Sequence, residues 1–569
     1  MRTSAFLALL CASSALGASQ PVLRDLSDIV LSNGVVSPPF AVGVASYTAA
    51  VDSTVASIVL RCPVADHATV TVNGARLEEG AQTPALPLSP GSAGNVFTIV
   101  TGAFPVKKTY TLTVTRAALT AADRAARLAA AAGAPEQVKL ALGTTAETFS
   151  VTWVTAVAAP SVVQYGTSPD ALSLSATGDA AQYHSACGGA RSVAYNYTSG
   201  FIHKVFLENL KPDTAYTYRL PTMLSTGTFR TLPAAAASGA AANAFGAYPF
   251  AFGALGDLGQ TDDSALTVAA VAADETLRAL LHAGDMSYAD CDHVRWDSWG
   301  RLVDPLAKTL PWMVCPGNHE VETDLVNMET FRAYKARFAM PEAGPERDTT
   351  SAAQLLDDCT PSIYTGNYNY GNAFYSFELG PATVVVLNTY TETDAASAQY
   401  AWLQKALASV DRARTPWLLA MMHGPWYNSN QHHHNDGNTI AMRVSMEELF
   451  HTHEVNAVFA GHVHAYERSL PVYANATVAA DDLETGAPVY LNVGDAGNRE
   501  GHNLEYFEQP AWSAYRNGTQ FGHGRVELLN DTHATWQWHR NADGAFVVAD
   551  GAIIVNRNAL RKQLQAASA

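Results

Sequence analysis

The sequence predicts two all-β sandwiches in series followed by a larger α/β domain. Three observations carry that expectation. Short alternating strands punctuated by Gly, Pro and Asn run from about residue 20 to Thr231. Beyond residue 245, apolar runs alternate with helical patterns, the mark of an α/β fold. Between these regions lies an Ala/Ser/Gly hinge, Ala234 to Ala244. A chain of 569 residues exceeds what one core organises, and 48% hydrophobic with 15% charged residues is a globular balance.

Residues 1–18 read as a secretory signal. Arg2 supplies the positive start, Ala5 to Leu16 the apolar run, and Ala15-Leu16-Gly17 the small residues of a cleavage site. The run is too short to span a bilayer, and no second one reaches spanning length. A secreted, extracellular protein with no integral membrane segment is expected. Secretion permits disulfides. Cys11 leaves with the signal, and Cys62, Cys187, Cys291, Cys315 and Cys359 remain. Their odd number leaves one unpaired or intermolecular. Cys315, after Trp312-Met313-Val314, reads as a buried small hydrophobe, and a Cys291–Cys359 bridge is expected between loops of one domain. Asn196, Asn475, Asn517 and Asn530 head glycosylation sequons and are expected at the surface. The net charge of -17 argues against nucleic-acid binding. An anionic substrate would need local cations, and metals are the obvious source.

Residues 20–117 show strands such as Tyr110-Thr111-Leu112-Thr113-Val114 and a hairpin signal at Asn73-Gly74. The Leu31-Ser32-Asn33-Gly34 opening, Pro39-Phe40, Tyr47-Thr48 and the closing Tyr110 to Arg116 run resemble the cadherin-like β-sandwich domain. An Ala-rich linker or short helix, 118–136, follows. The second sandwich, 137–233, has a strand with a core tryptophan in Ser150-Val151-Thr152-Trp153-Val154. Its Leu210-x-Pro212-x-Thr214-x-Tyr216 resembles the tyrosine corner of fibronectin-type sandwiches.

In the α/β region, 245–556, five apolar runs each precede a chemistry-bearing segment. Phe250 to Leu255 leads to Asp257, Leu277 to Ala283 to Asp285, Pro311 to Cys315 to Asn318, Trp417 to Met422 to His423, and Asn456 to Ala460 to His462 and His464. Sites on open α/β sheets gather beyond the carboxyl ends of strands, so five such loops converge. Singly these segments are weak signals. A Gly-Asp pair at a strand end is usually a turn, Asn318-His319-Glu320 could be a helix cap, and His462 and His464, two apart on a strand-like stretch, face one side. As an ordered set they supply the ligands of a two-metal centre, which needs a bridging carboxylate. Asp285 is the natural bridge because its segment also carries Tyr288. A phenolate stabilises a trivalent ion, and hard oxygen donors suit it while imidazole suits Zn, Mn or Fe(II). Asp257, Asp285, Tyr288 and one histidine are therefore expected around M(III). Asn318, His423, the other histidine and Asp285 are expected around M(II).

Together these segments resemble the purple acid phosphatase family, in particular the large plant-type enzymes. Trp426-Tyr427-Asn428-Ser429, Ala465-Tyr466-Glu467-Arg468, Gly494-Asp495-Ala496-Gly497-Asn498 and the closing Phe521 to Asn541 motifs extend the resemblance over about residues 135 to 556. The cadherin-like domain lies outside it. The resemblance implies an α/β metallophosphoesterase domain with a β-sheet sandwich core flanked by helices, its C-terminal segment about 520–556. It implies a secreted acid phosphatase acting on small phosphate monoesters at an Fe(III)–M(II) centre, by attack of metal-bound hydroxide. His464 then completes the ferric site and His462 the divalent one. His319 would reach a phosphate oxygen, and His432 and His433 are the substrate-binding pair, in a block His432-His433-His434 that leaves the register open by one. His433 or His319 would protonate the departing alkoxide. His282, His451 and His453 fit no motif and are expected to be structural.

Three rival readings stand beside this one. The same centre could serve a phosphodiesterase, nucleotide pyrophosphatase or phytase-like substrate, to which the ligands are blind. An adhesion protein with an inert metal domain is opposed by the complete ligand set. A serine/threonine protein phosphatase is opposed by Tyr288 and the signal. The oligomeric state stays open, a homodimer included.

Overall fold

The computed structural model describes residues 26–568 apart from 27, 42, 52–54, 64–68, 78–80, 90–94, 104–105, 118–132, 188–194, 224, 234–247, 325–328, 345–358, 362, 365, 480 and 545–546. The expected signal, most of the linker and the hinge lie outside the described residues. The chain divides into two compact units after Ala129. Among the described residues no helix is long and apolar enough to cross a membrane.

The first unit is built on a five-stranded sheet in the order Ser46–Val51, Val106–Arg116, Val96–Ala103, Val70–Val72, Ala75–Leu77. Ser46–Val51 alternates exposed and buried residues, as a strand with one face on a core must. The core gathers Tyr47, Ile58, Leu60, Ile99, Tyr110, Leu112 and Val114. Asn73 and Gly74 both take left-handed backbone (φ 48° and 83°), the conformation a tight hairpin between twisted strands requires.

The second unit opens with a sandwich of two four-stranded sheets. One contains Glu136–Leu142, Phe149–Thr155 and Phe201–Leu207 as consecutive neighbours, and the other contains Val162–Gly166, Ala215–Arg219 and Gly227–Arg230. Trp153 is buried and stacks on His203, with ring centroids 4.7 Å apart. The Lys211 N–H donates to Tyr216 Oη at 3.0 Å, closing the expected tyrosine corner.

The α/β part is itself a sandwich of two sheets. The six-stranded sheet has the order Trp312–Val314, Leu277–His282, Phe250–Leu255, Gly522–Leu528, His533–Arg540, Val548–Val555. Its first three strands are parallel, and the rest are antiparallel. The seven-stranded sheet has a parallel centre of Ala382–Val386, Trp417–Met421, Ala457–Ala460 and Val489–Val493. Phe252 and Phe459 meet edge to face between the sheets at 5.9 Å. The helices Ala398–Ala408 and Gly437–Thr452 cover the outer face of the seven-stranded sheet through Leu403, Met442, Met446 and Phe450. Parallel strands buried on both faces explain the continuous apolar runs in the sequence.

A buried cationic knot holds the fibronectin-like sandwich to the α/β part. The Arg337 guanidinium, 3% exposed, donates to Tyr183 Oη (3.2 Å), Gln137 Oε1 (3.0 Å), Tyr197 Oη (2.6 Å) and Asp297 Oδ1 (2.9 Å). Beside it Lys139 Nζ donates to the Gln137 carbonyl at 3.2 Å. Burial, and then Arg337, pull the Lys139 ammonium down to about 7. The folded state thus prefers the neutral amine. The cost of Lys139 is fully present below pH 7 and is relieved as pH rises toward the ordinary lysine value. Replacing Lys139 with Met is therefore expected to stabilise the fold, on the order of 3 kcal/mol at pH 6 and about half that at pH 9. Denaturant unfolding of both proteins at the two pH values checks this; an equal gain at both would contradict it.

Candidate metal centre

The five expected runs are all strands, and each ends beside its ligand segment. Three belong to the parallel part of the six-stranded sheet and two to the parallel part of the seven-stranded sheet, so their carboxyl ends share one edge of the sandwich. The loops there are forced into unusual backbone. Asp257 (φ 57°), Asp285 (54°), Tyr288 (50°) and His462 (71°) all adopt the left-handed region, which side chains other than glycine enter at a cost. Two glycines allow the loops to close. A Cβ on Gly317 would lie 2.1 Å from Asp285 Oδ1, and one on Gly461 would lie 2.2 Å from Asp257 Oδ2. His462 and His464 do not sit on a strand as the sequence suggested. The strand starts only at Tyr466, and the left-handed turn at His462 sends the two imidazoles to different partners.

Glu320, fully buried, organises the loops from beneath. Its carboxylate accepts the backbone N–H groups of Asp285 (2.8 Å), Met286 (2.9 Å) and Gly317 (2.8 Å). Above it the ligands form two groups. In one, Tyr288 Oη lies 3.2 Å from Asp257 Oδ1 and 3.0 Å from His464 Nε2, which is 3.5 Å from Asp257 Oδ1. In the other, His423 Nε2 lies 3.1 Å from both Asp285 Oδ2 and Asn318 Oδ1. Asp285, His423 and His462 present ligand atoms all within 4.8 Å of one another. All seven side chains the sequence singled out are thus together and buried.

The electrostatics of this cluster fit cations. His423 Nδ1 lies 2.7 Å from the Ala283 carbonyl, which makes it the protonated nitrogen and turns the Nε2 lone pair toward two oxygen acceptors. Burial, followed by Asp257 and Asp285, drives the Tyr288 phenol well above its ordinary range. Asp257 is raised chiefly by burial. Asp285 is held low despite burial by His423 and His319. Converging lone pairs and buried carboxylates demand positive charge at both groups, and O-rich and N-containing donor sets supply places for it.

The outer histidines flank this cluster. His319 Nδ1 pairs with Asp290 Oδ1 at 2.6 Å, and its ring lies 4.1 Å from that of Tyr288. Burial opposes its protonation, but Asp285 and Asp290 lift it to about 10. The His433 ring lies 3.8 Å from His462, and Asp436 Oδ2 joins them, 2.8 Å from His433 Nδ1 and 2.7 Å from His462 Nε2. His432 is exposed beside His433, ring centroids 4.3 Å apart. His434 turns onto Phe507, ring centroids 4.7 Å apart. His282 and His451 are structural, bonded to Trp312 and to the Gly486 carbonyl. Cys291 and Cys359 form a disulfide, while Cys62 and Cys315 are free and buried. Asn196, Asn475 and Asn530 are exposed and Asn517 is half-buried. Sequence reasoning assigned no role to Glu320, Asp290, Asp436 or Tyr390, whose hydroxyl donates to Asn318 Oδ1 at 3.3 Å. Only Asp436 carried a signal, its three-residue spacing from His433.

Parallel strands of two packed sheets delivering carboxylates, an amide and histidines to one edge define a metallophosphoesterase. Residues 250–466 match the calcineurin-like phosphoesterase model. Residues 135–231 match the purple acid phosphatase N-terminal domain, and 487–550 the iron/zinc purple acid phosphatase-like protein C domain. Residues 26–117 match the cadherin-like beta sandwich domain. The chain is 37% identical over 391 residues to purple acid phosphatase 22 of Arabidopsis thaliana, covering 68% of this chain and 78% of that protein. It is 35% identical to the phosphoenolpyruvate phosphatase of Allium cepa, covering 76% and 85%. It is also 35% identical to the Fe(3+)-Zn(2+) purple acid phosphatase 12 of Arabidopsis thaliana, covering 64% and 73%. The solved structure of purple acid phosphatase PPD1 from yellow lupin shares the fold, with TM-score 0.58 at 20% identity over 88% of this chain and 93% of that one. The chain belongs to the purple acid phosphatase family. It is an acid phosphatase, a phosphoric monoester hydrolase.

Because Glu320 satisfies three backbone donors at once, Glu320→Ala is expected to cost roughly 3 kcal/mol or more and to lower bound metal. Unfolding and elemental analysis check this; full metal loading in the variant would contradict it.

Proposed function

We propose that this is a secreted phosphatase of small phosphate monoesters working with a ferric ion and a divalent ion, Zn, Mn or Fe(II). The observation that carries the reading is the Tyr288 phenol placed within 3.2 Å of Asp257 and His464. Asp257, Tyr288 and His464, with Asp285, would hold Fe(III). Asn318, His423 and His462, with Asp285, would hold the divalent ion. The iron and zinc for which the Arabidopsis relative is named support this pairing. When bound, the two cations acidify water and offset charge on phosphoryl oxygens.

The chain's own side chains do the rest. His319, held by Asp290 through Nδ1, is placed to donate from Nε2 to a phosphoryl oxygen. Asp436 orients the His433 ring through Nδ1, so that Nε2 is the nitrogen that delivers a proton to the leaving oxygen. His432 borders the same face. The leading apolar segment with its small-residue end, the Cys291–Cys359 bridge and the exposed sequons support export to an oxidising compartment.

Two outcomes test this reading. The purified protein is expected to show a visible tyrosinate-to-iron band, lost in Tyr288→Phe while some hydrolysis survives. A colourless, iron-free and fully active wild type would refute the ferric assignment. Because an alkoxide leaving group needs a proton from the acid imidazole, activity on alkyl phosphates should be highest below neutral pH and fall as pH rises. A pH–rate profile that stays flat or climbs to pH 8 would sink the acid role.

A further inference from the structure

We infer that Glu467 is a positioning residue for the loop bearing His432 and His433, and that through this loop it sets how well poor leaving groups are expelled. The inference rests on the acid role given to His433 above. Glu467 lies on the strand Tyr466–Ser469, three residues after His464, and is 3% exposed. Its carboxylate is committed to two serines. Oε2 accepts the Ser429 N–H at 2.8 Å, and Oε1 accepts the hydroxyls of Ser429 (2.5 Å) and Ser513 (2.6 Å). Ser429 Oγ in turn accepts from Arg516 Nη1 at 3.1 Å, and the Ser429 carbonyl accepts from Phe507 N–H at 2.9 Å. Every polar group of Ser429 is therefore fixed.

Order propagates from Ser429 to the histidines. Asn430 Nδ2 donates to the Asn503 carbonyl at 2.8 Å, and Asn430 Oδ1 accepts the His432 N–H at 2.9 Å. The Gln431 N–H donates to the Glu505 carbonyl at 2.8 Å, and Asn428 Nδ2 donates to the His432 carbonyl at 2.9 Å. The same Asn503 takes the His464 N–H on its Oδ1 at 2.7 Å. The metal-side histidines and the substrate-side histidines are thus registered against one another across a frame whose buried charged anchor is Glu467. A buried carboxylate is costly unless its bonds repay it, and these bonds converge on the histidine loop. An amide in its place keeps the shape but removes the charge and one acceptor oxygen, so the Ser429 and Ser513 hydroxyls must turn from donors into acceptors.

The test compares two esters. An alkyl phosphate releases an alkoxide that needs a proton; p-nitrophenyl phosphate releases a phenolate that does not. Glu467→Gln, with metal content equal to wild type, is expected to lower kcat about 30-fold on glycerol phosphate and less than about threefold on p-nitrophenyl phosphate. Ser429→Ala keeps the backbone bond and loses only the hydroxyl, so it should show the same selectivity with a smaller loss, and it serves if the glutamine variant does not fold. Equal losses on both esters in these variants, while His433→Ala remains selective, would overturn the inference alone. A His433→Ala variant that itself loses equally on both would overturn the acid role, and the inference with it.

Discussion

Burying Asp257 and Asp285 within one cluster is the constraint from which the rest of the catalytic edge follows. Neither carboxylate reaches solvent, so charge must be answered locally. Two answers are visible and a third is implied. Backbone donors take part of the load, with the N–H of His462 on Asp257 Oδ2 and that of His319 on Asp285 Oδ1. Imidazoles take more, since Asp285 and Asp257 draw positive charge to His423 Nε2 against its burial, a proton where no cation is bound. The remainder is what a pair of cations supplies. The same logic repeats one layer out, where Asp290 and Asp436 hold His319 and His433 at 2.6 and 2.8 Å.

Such a cluster holds its shape only on a frame that does not yield. The two sheets interlock through large aromatics such as Phe252, Phe459 and Trp536, and protein interiors packed this way transmit strain rather than absorb it. The Arg337 knot adds the fibronectin-like sandwich to that frame. A guanidinium with acceptors for four of its five N–H groups and two phenol faces is closely held, and removing any one partner leaves a buried charge short of a further bond. Hydrophobic burial is continuous from Trp153 to Trp299 within this unit, so the sandwich is part of the enzyme's core rather than a pendant module.

Much of this was legible in the sequence because the signals were strong and local. Apolar runs before Asp257, Asp285, Asn318, His423 and His462 marked strands, since strands buried on both faces carry no alternation. Tyr216 and the Asn73-Gly74 pair announced their turns through fixed spacing. The candidate ligands could be picked out because metal chemistry restricts residue types severely. The supporting residues were not. Glu320 stands beside Asn318 in sequence, yet its partners are backbone amides up to 35 residues away, and a glutamate that binds peptide groups leaves no compositional trace. Asp290 and Glu467 are hidden likewise. The strand-like reading of His462 and His464 failed because two-residue spacing in a left-handed turn does not place side chains on one face.

The left-handed backbone at Asp257, Asp285, Tyr288 and His462 has a consequence for substitution. Each position carries a functional side chain on a strained peptide. Glycine would relieve the peptide by about 1 kcal/mol. At Tyr288, which is fully buried, it would also empty the space of the ring and cost roughly 3 kcal/mol or more. The packing that surrounds the ring therefore holds the strained turn in place, and the phenol is at once a chemical group and the filling of its own loop.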